Sequence, residues 1–207
     1  MSGVLALQGG DPFVANDELD ARLLAEVGAT SVVVLPTADA FESPERLVAA
    51  AMNWAERLGV QVEALMVLRR TDALDEGAAG VVRAARAVYL VGDQPLHLRS
   101  VLKDTPVWDA LVGVLDAGGL VVGVAASGSA LCDPMVDPRG GAFTLGLGLV
   151  TGLAFVCGSE QMSGERLHRT LALADVPVVV APTGSAAVRR DGTWKLEADA
   201  TVRGDLP

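Results

Sequence analysis

The stretch that decides the fold is Leu120-Val121-Val122-Gly123-Val124-Ala125-Ala126-Ser127-Gly128-Ser129-Ala130. An unbroken apolar run gives way to small residues, which reads as a buried strand entering a sharp turn and then a helix. In hydrolytic enzymes a turn of this kind is a nucleophile elbow, where small neighbours allow the backbone to fold tightly around a Ser or Cys at the tip. Which residue occupies the tip depends on register. Ala125 and Ser127 are the two candidates.

Working outward, the same grammar repeats. Val4 to Gln8 is an apolar run ending in Gly9-Gly10, and Ser31 to Leu35 is a β-branched run closed by Pro36-Thr37. Val60 to Val67, Ala87 to Val91 and Leu153 to Cys157 also read as strands, as do Val176 to Ala181 and Ala186 to Arg190. Between them, helical spacing marks Asn16 to Val27 (stopped by Gly28), Pro44 to Leu58 (capped by Ser43, ended by Gly59), Asp75 to Ala85, Leu96 to Lys103, Val107 to Ala117 and Gly164 to Ala174. Asp191-Gly192 predicts a hairpin turn. Continuous apolar strands alternating with helices predict an α/β fold: three layers, with a mostly parallel central sheet covered by helices on both faces. No repeat, low-complexity segment or long linker divides residues 1–207, so one domain is expected.

Composition agrees. Hydrophobic residues make up 51% of the 207 and aromatics only 4%, so the core must be built from Ala, Val and Leu. The net charge of −10 argues against nucleic acid and anionic membrane as partners, because both require a basic surface. Two cysteines, Cys132 and Cys157, have no metal-ligand spacing and no CxxC pattern. They suggest a reduced, cytoplasmic setting, and the chain opens without a signal-peptide pattern. With two histidines and no HxH or HxxxH spacing, neither a metal nor another cofactor is expected.

In a doubly wound sheet, sites lie at the carboxyl ends of the strands. Three loops there stand out: Gly9-Gly10-Asp11, Gly92-Asp93-Gln94 and the elbow.

The order of these motifs resembles the serine peptidases that include cyanophycinase and aspartyl dipeptidase (dipeptidase E), whose flavodoxin-like fold is similar to class I glutamine amidotransferases. Gln8-Gly9-Gly10 resembles the family's opening glycine loop, and Leu35-Pro36-Thr37-Ala38-Asp39 its Pro-Thr-Ala-Ser segment. Tyr89-Leu90-Val91-Gly92-Asp93-Gln94 resembles its Gly-Gly-Asp-Gln loop, with Val91 in place of the first glycine. Gly146-Leu147-Gly148-Leu149 resembles its Gly-Leu-Gly-Leu segment.

The family's Gly-x-Ser-Ala-Gly-Ala motif, set without gaps, falls on Gly123 to Gly128, so the nucleophile position holds Ala125. The Asp-x-His-Phe segment falls on Cys157 to Glu160, so the histidine position holds Ser159. For the acidic member, Asp133 and Asp137 are the nearest candidates, and Pro182 to Ala186 lacks both acids of the family's Asp-Glu-x-Thr-Ala segment. The resemblance implies backbone N–H groups of Gly92 and Ala126 as oxyanion donors, and a cleft lined by Asp93, Gln94 and Glu160. It therefore implies a peptidase relative that has lost its triad and acts by binding or assembly. Its partner would be a small peptide or an acidic-residue ligand, and the apolar 140s leave a homo-oligomer open.

The alternative shifts the register by two residues. Ser127 is then the nucleophile and His168 the base of an active hydrolase of peptide or isopeptide bonds. Against it, Ser127 reads equally as a first-turn helix serine, and His168, among Arg166 and Arg169, as a solvent-facing residue. A glutamine amidotransferase proper would need an elbow cysteine, which is absent. His97 reads as a rim residue, Cys132 as a packed thiol, and Arg69-Arg70 and Arg189-Arg190 as surface pairs.

Overall fold

The computed structural model describes residues 2–207. Its central sheet joins β1 (Val4–Gln8), β2 (Ser31–Leu35), β3 (Gln61–Ala64), β4 (Ala87–Leu90) and β5 (Leu120–Val124) as parallel strands in the order β1-β5-β4-β2-β3. Two antiparallel strands extend the β1 edge. They are β12 (Ala186–Arg190) and β13 (Thr193–Glu197), joined through Asp191-Gly192, both at positive φ.

Helices cover both faces of the sheet because the strands are apolar on both. Successive strand side chains point to opposite faces. Leu5, Leu7, Val33, Leu35, Val88, Leu90 and Val121 therefore feed one core, beneath α4 (Glu76–Ala84), α5 (Pro95–Leu102) and α6 (Pro106–Asp116). Val4, Ala6, Val32, Val34, Tyr89, Leu120, Val122 and Val124 feed the other, beneath α1 (Asp17–Val27) and α2 (Pro44–Leu58). The expected mostly parallel three-layer α/β architecture is the one observed.

The helix ends follow local chemistry. Asp75 caps α4 by accepting from the backbone N–H groups of Gly77 and Ala78, and Thr105 caps α6 by accepting from that of Trp108. Gly28 and Gly59 end α1 and α2 in the left-handed region. Ser43 does not cap α2 with its side chain. Its backbone N–H instead donates to the Asp39 carboxylate at 3.2 Å. The third strand is also shorter than its apolar pattern predicts. It is an edge strand, and the chain turns after Ala64 to bring Val67 into the core. A four-residue helix, α3 (Arg70–Ala73), follows it.

After the elbow helix α7 (Ala126–Leu131) the chain leaves the central sheet. Short strands β6 (Cys132–Asp133) and β9 (Val150–Thr151) pair, as do β7 (Met135–Val136) and β8 (Phe143–Thr144), and they frame the glycine-rich 140s. The apolar runs near residues 155 and 180 do not join the central sheet. As β10 (Ala154–Cys157) and β11 (Val178–Ala181) they form a separate three-stranded sheet with β14 (Thr201–Arg203). Helix α8 (Gly164–Leu173), capped by Ser163, packs against this sheet through Leu167 and Leu171. Among the described residues no helix is long and apolar enough to cross a membrane.

Candidate functional site

The carboxyl ends of β1, β4, β5 and β10 bring four loops together. Ala125 is the residue between β5 and α7, at φ 55° and ψ −132°. This region is costly for any residue with a Cβ, by about 1–3 kcal/mol. The turn holds because its ends are bonded: the Ala125 N–H donates to the Gln8 carbonyl at 2.9 Å, and the Gly128 N–H to the Ala125 carbonyl at 3.0 Å. Close packing of strand on helix requires glycine on both sides. A Cβ on Gly123 would lie 2.7 Å from the Gly128 Cα, and one on Gly128 would lie 2.8 Å from the Gly123 oxygen.

A cavity of about 280 Å³ opens in front of Ala125, lined also by Gly9, Gly10, Asp11, Asp93, Cys157 and Gln161. The β10 loop is tied to the β1 loop by the Gly158 N–H donating to the Gly9 carbonyl at 2.7 Å. Gly92, at φ 115°, lets the β4 loop pass Ala38 and Asp39. A Cβ there would come within 2.6 Å of their backbone.

The electrostatics of this cavity are anionic. Burial, then the charge of Asp39, pushes the Asp93 carboxyl above the ordinary carboxylate range, with Asp11 adding to the rise. The backbone N–H of Ala126 pulls the other way. Burial pushes the Cys157 thiol up to about 12, with the Asp93 charge second, so it stays protonated at neutral pH.

The remaining predicted residues lie as follows. Ser127 is fully buried in the first turn of α7, and its hydroxyl donates to the Gly92 carbonyl at 3.1 Å. It is inside the helix, two residues beyond the tip. His168 is exposed on α8. The His97 ring nitrogen Nε2 lies 2.9 Å from the Leu68 carbonyl, and the ring packs edge-on against Phe41. Among the described residues neither imidazole lines the cavity, so the Ser127–His168 pairing is not assembled.

Ser159 opens a single 3-10 turn, Ser159–Gln161, and is half-buried. Glu160 turns away to the β11 loop, accepting from the Thr183 hydroxyl at 2.5 Å and its N–H at 3.2 Å. These bonds, the hydroxyl's first, hold its carboxyl below the usual range. The exposed Gln94 gives its N–H to the Ala38 carbonyl at 2.8 Å and stands outside the cavity lining. Asp137 binds Arg139, whose hydrogen bonds hold its carboxyl down at about 2. Sequence reading does not single out Cys157 as a wall of the cavity. Its only signal is its place at the carboxyl end of a strand.

Comparison with known proteins places the fold among peptidases. A crystal structure of a peptidase from an acI-B1 Actinobacterium superposes with a TM-score of 0.85 at 26% identity, over 98% of this chain and 90% of that one. A protein from Listeria monocytogenes EGD-e that carries a provisional assignment as peptidase E superposes with a TM-score of 0.72 at 18% identity, over 94% of this chain and 98% of that one. No protein-family model matches the sequence, and no curated protein does.

Proposed function

We propose that this chain is a non-hydrolytic relative of the serine peptidases whose fold it shares, and that it acts by holding a small ligand at the elbow. The observation that carries this reading is the methyl group of Ala125 at the strained tip between β5 and α7. An alanine cannot attack a carbonyl. Without a nucleophile and its base, only the modest contribution of binding and backbone donors remains.

Two further observations support it. The hydroxyl of Ser127, the first serine after the tip in the chain, is buried and donates to the Gly92 carbonyl. Asp11 and Asp93 line the cavity in front of the tip, and their negative charge disfavours a developing oxyanion there. A cavity bearing Asp11 and Asp93 favours the amino end of a small peptide over its acidic side chain.

The test is to offer the protein aspartyl dipeptides and follow binding and hydrolysis in the same sample. Saturable binding without release of free amino acids is expected. Turnover that survives removal of contaminating peptidases would end the reading.

A further inference from the structure

The cavity wall formed by Gly9, Gly10, Asp11 and Pro12 is anchored at both ends in one buried polar cluster. At its start, the Gln8 main-chain carbonyl accepts from the Ala125 N–H at 2.9 Å, while the Gln8 side-chain amide donates to the Asp20 carboxylate at 2.6 Å. At its end, the Phe13 ring lies 5.2 Å from that of Trp54 and 6.0 Å from that of Tyr89. Trp54 and Tyr89 donate to the same carboxylate, at 3.1 Å and 2.9 Å. Asn16 holds the N-cap position of α1 without capping it. Its amide donates instead to Gln8 Oε1 at 3.4 Å.

This arrangement suits a charged Asp20. An ionised carboxylate only accepts, and here it has three donors. A protonated one gains an O–H that needs an acceptor, and burial makes an unpaired one costly. The Trp54 indole N–H only donates. Tyr89 is completely buried, and among the described residues Asp20 is its hydroxyl's one acceptor, so turning it round would leave its own proton unpaired. Gln8 is different. Half a turn of its amide exchanges oxygen and nitrogen in place, so that Oε1 receives the Asp20 proton. The same turn at Asn16 brings Oδ1 to the Gln8 Nε2–H. Each bond from Asn16 to Gln8 to Asp20 is then kept with its direction reversed.

We propose that Asp20, Gln8 and Asn16 form a proton-operated relay beneath the elbow, whose two amides donate toward Asp20 when it is charged and invert together when it takes up a proton. The Gln8 carbonyl carries the state to the tip. Bonds in a chain polarise one another in a low-dielectric interior, so losing the charge under Gln8 alters the bond it makes to Ala125. Burial raises the Asp20 carboxyl to about 6, which sets the switch just below neutral pH. Asp17 on the same helix adds to the rise, and Arg57 of α2 pairs with Asp17 at 2.7 Å. Tyr89 is the titratable group that β4 contributes, and burial pushes its hydroxyl up, so it stays protonated throughout. The strands β1 and β5 carry no charged residue.

NMR of the labelled Asp20 carboxyl between about pH 4 and pH 8, beside amide spectra of the same samples, tests it. The side-chain amides of Gln8 and Asn16 and the backbone amides of Gly9, Gly10 and Ala125 are expected to follow the Asp20 midpoint. Asp20→Asn is expected to abolish that transition, because its amide donates to Gln8 at every pH. Asp93 also has a raised carboxyl on this cavity, so the comparison is made in an Asp93→Asn background. Two variants separate an inverting relay from fixed donors. Tyr89→Phe removes a donor that favours the charge and is expected to raise the midpoint by about one pH unit. Gln8 serves the charged state as donor and the neutral state as acceptor. Gln8→Met is therefore expected to lower the melting temperature at both ends of the range while moving the midpoint far less. Should either variant not fold, the amides of the unaltered chain decide. An Asp20 that does not titrate in this range, amides that ignore its midpoint, or a Gln8→Met midpoint raised as far as that of Tyr89→Phe would overturn the proposal. The relay needs no ligand, so its failure leaves the reading of Ala125 untouched.

Discussion

The Ser127 hydroxyl donates to the Gly92 carbonyl oxygen at 3.1 Å, a bond that ties the elbow helix to the loop after β4. Both groups are buried. The serine that most resembles a nucleophile in the sequence is therefore a strut. Ser127→Ala should leave the Gly92 carbonyl without its donor and cost about 1–2 kcal/mol. Urea unfolding should show a lower midpoint at an unchanged slope. An unchanged midpoint would mean that the bond contributes nothing.

The glycine pair under the elbow makes a sterner prediction. A Cβ on Gly128 meets the Gly123 oxygen at 2.8 Å and the Phe155 ring at 3.2 Å, and neither backbone nor packed ring yields easily. Gly128→Ala should destabilise the fold by about 2–3 kcal/mol. Gly80→Ala, in helix α4 with open space around it, should be neutral or stabilising in the same denaturation assay.

Strain at the tip is also measurable. Ala125 holds φ 55° and ψ −132°, a conformation glycine adopts freely. The relief exceeds the entropy glycine costs, so Ala125→Gly should stabilise the chain by about 1 kcal/mol. A loss of stability in thermal melts would show that the tip is not strained.

Beneath the opposite side of the sheet, Asp20 is 1% exposed and accepts from the Gln8 amide at 2.6 Å, the Tyr89 hydroxyl at 2.9 Å and the Trp54 indole at 3.1 Å. Burial nevertheless wins over these bonds and raises its carboxyl to about 6. The folded state therefore binds this proton more tightly than the unfolded chain does. The resulting stability is present in full below about pH 4 and is lost as pH rises through about 6. Relative to Asp20→Asn, the unaltered chain should lose on the order of 2–3 kcal/mol between pH 4 and pH 7.5. Denaturation of both proteins across that range checks it, and a pH-independent difference would contradict it.

These relationships differ in how far the sequence announces them. The central strands were legible because β1, β2, β4 and β5 are apolar on both faces, a pattern that few other structures need. The elbow was legible because only small residues fit where Gly123 and Gly128 touch. The sheet that receives β10 and β11 was not. An apolar run records that a strand is buried, but not against which neighbour. The Asp20 network joins residues 12 to 69 positions apart, a distance at which no local pattern operates. The convergence of Asp11 and Asp93 on one cavity is likewise a property of loop placement, invisible in a motif whose glycine and aspartate read as those of a substrate cleft.

Fluorophosphonate labelling, read by intact-protein mass beside an active serine hydrolase in the same tube, tests the absence of a working nucleophile most directly. The expected result is full labelling of the control and none of this chain, with Ser127→Ala indistinguishable from the unaltered protein. Stoichiometric labelling of this chain, mapped to a serine of α7 and abolished by its replacement, would contradict the account.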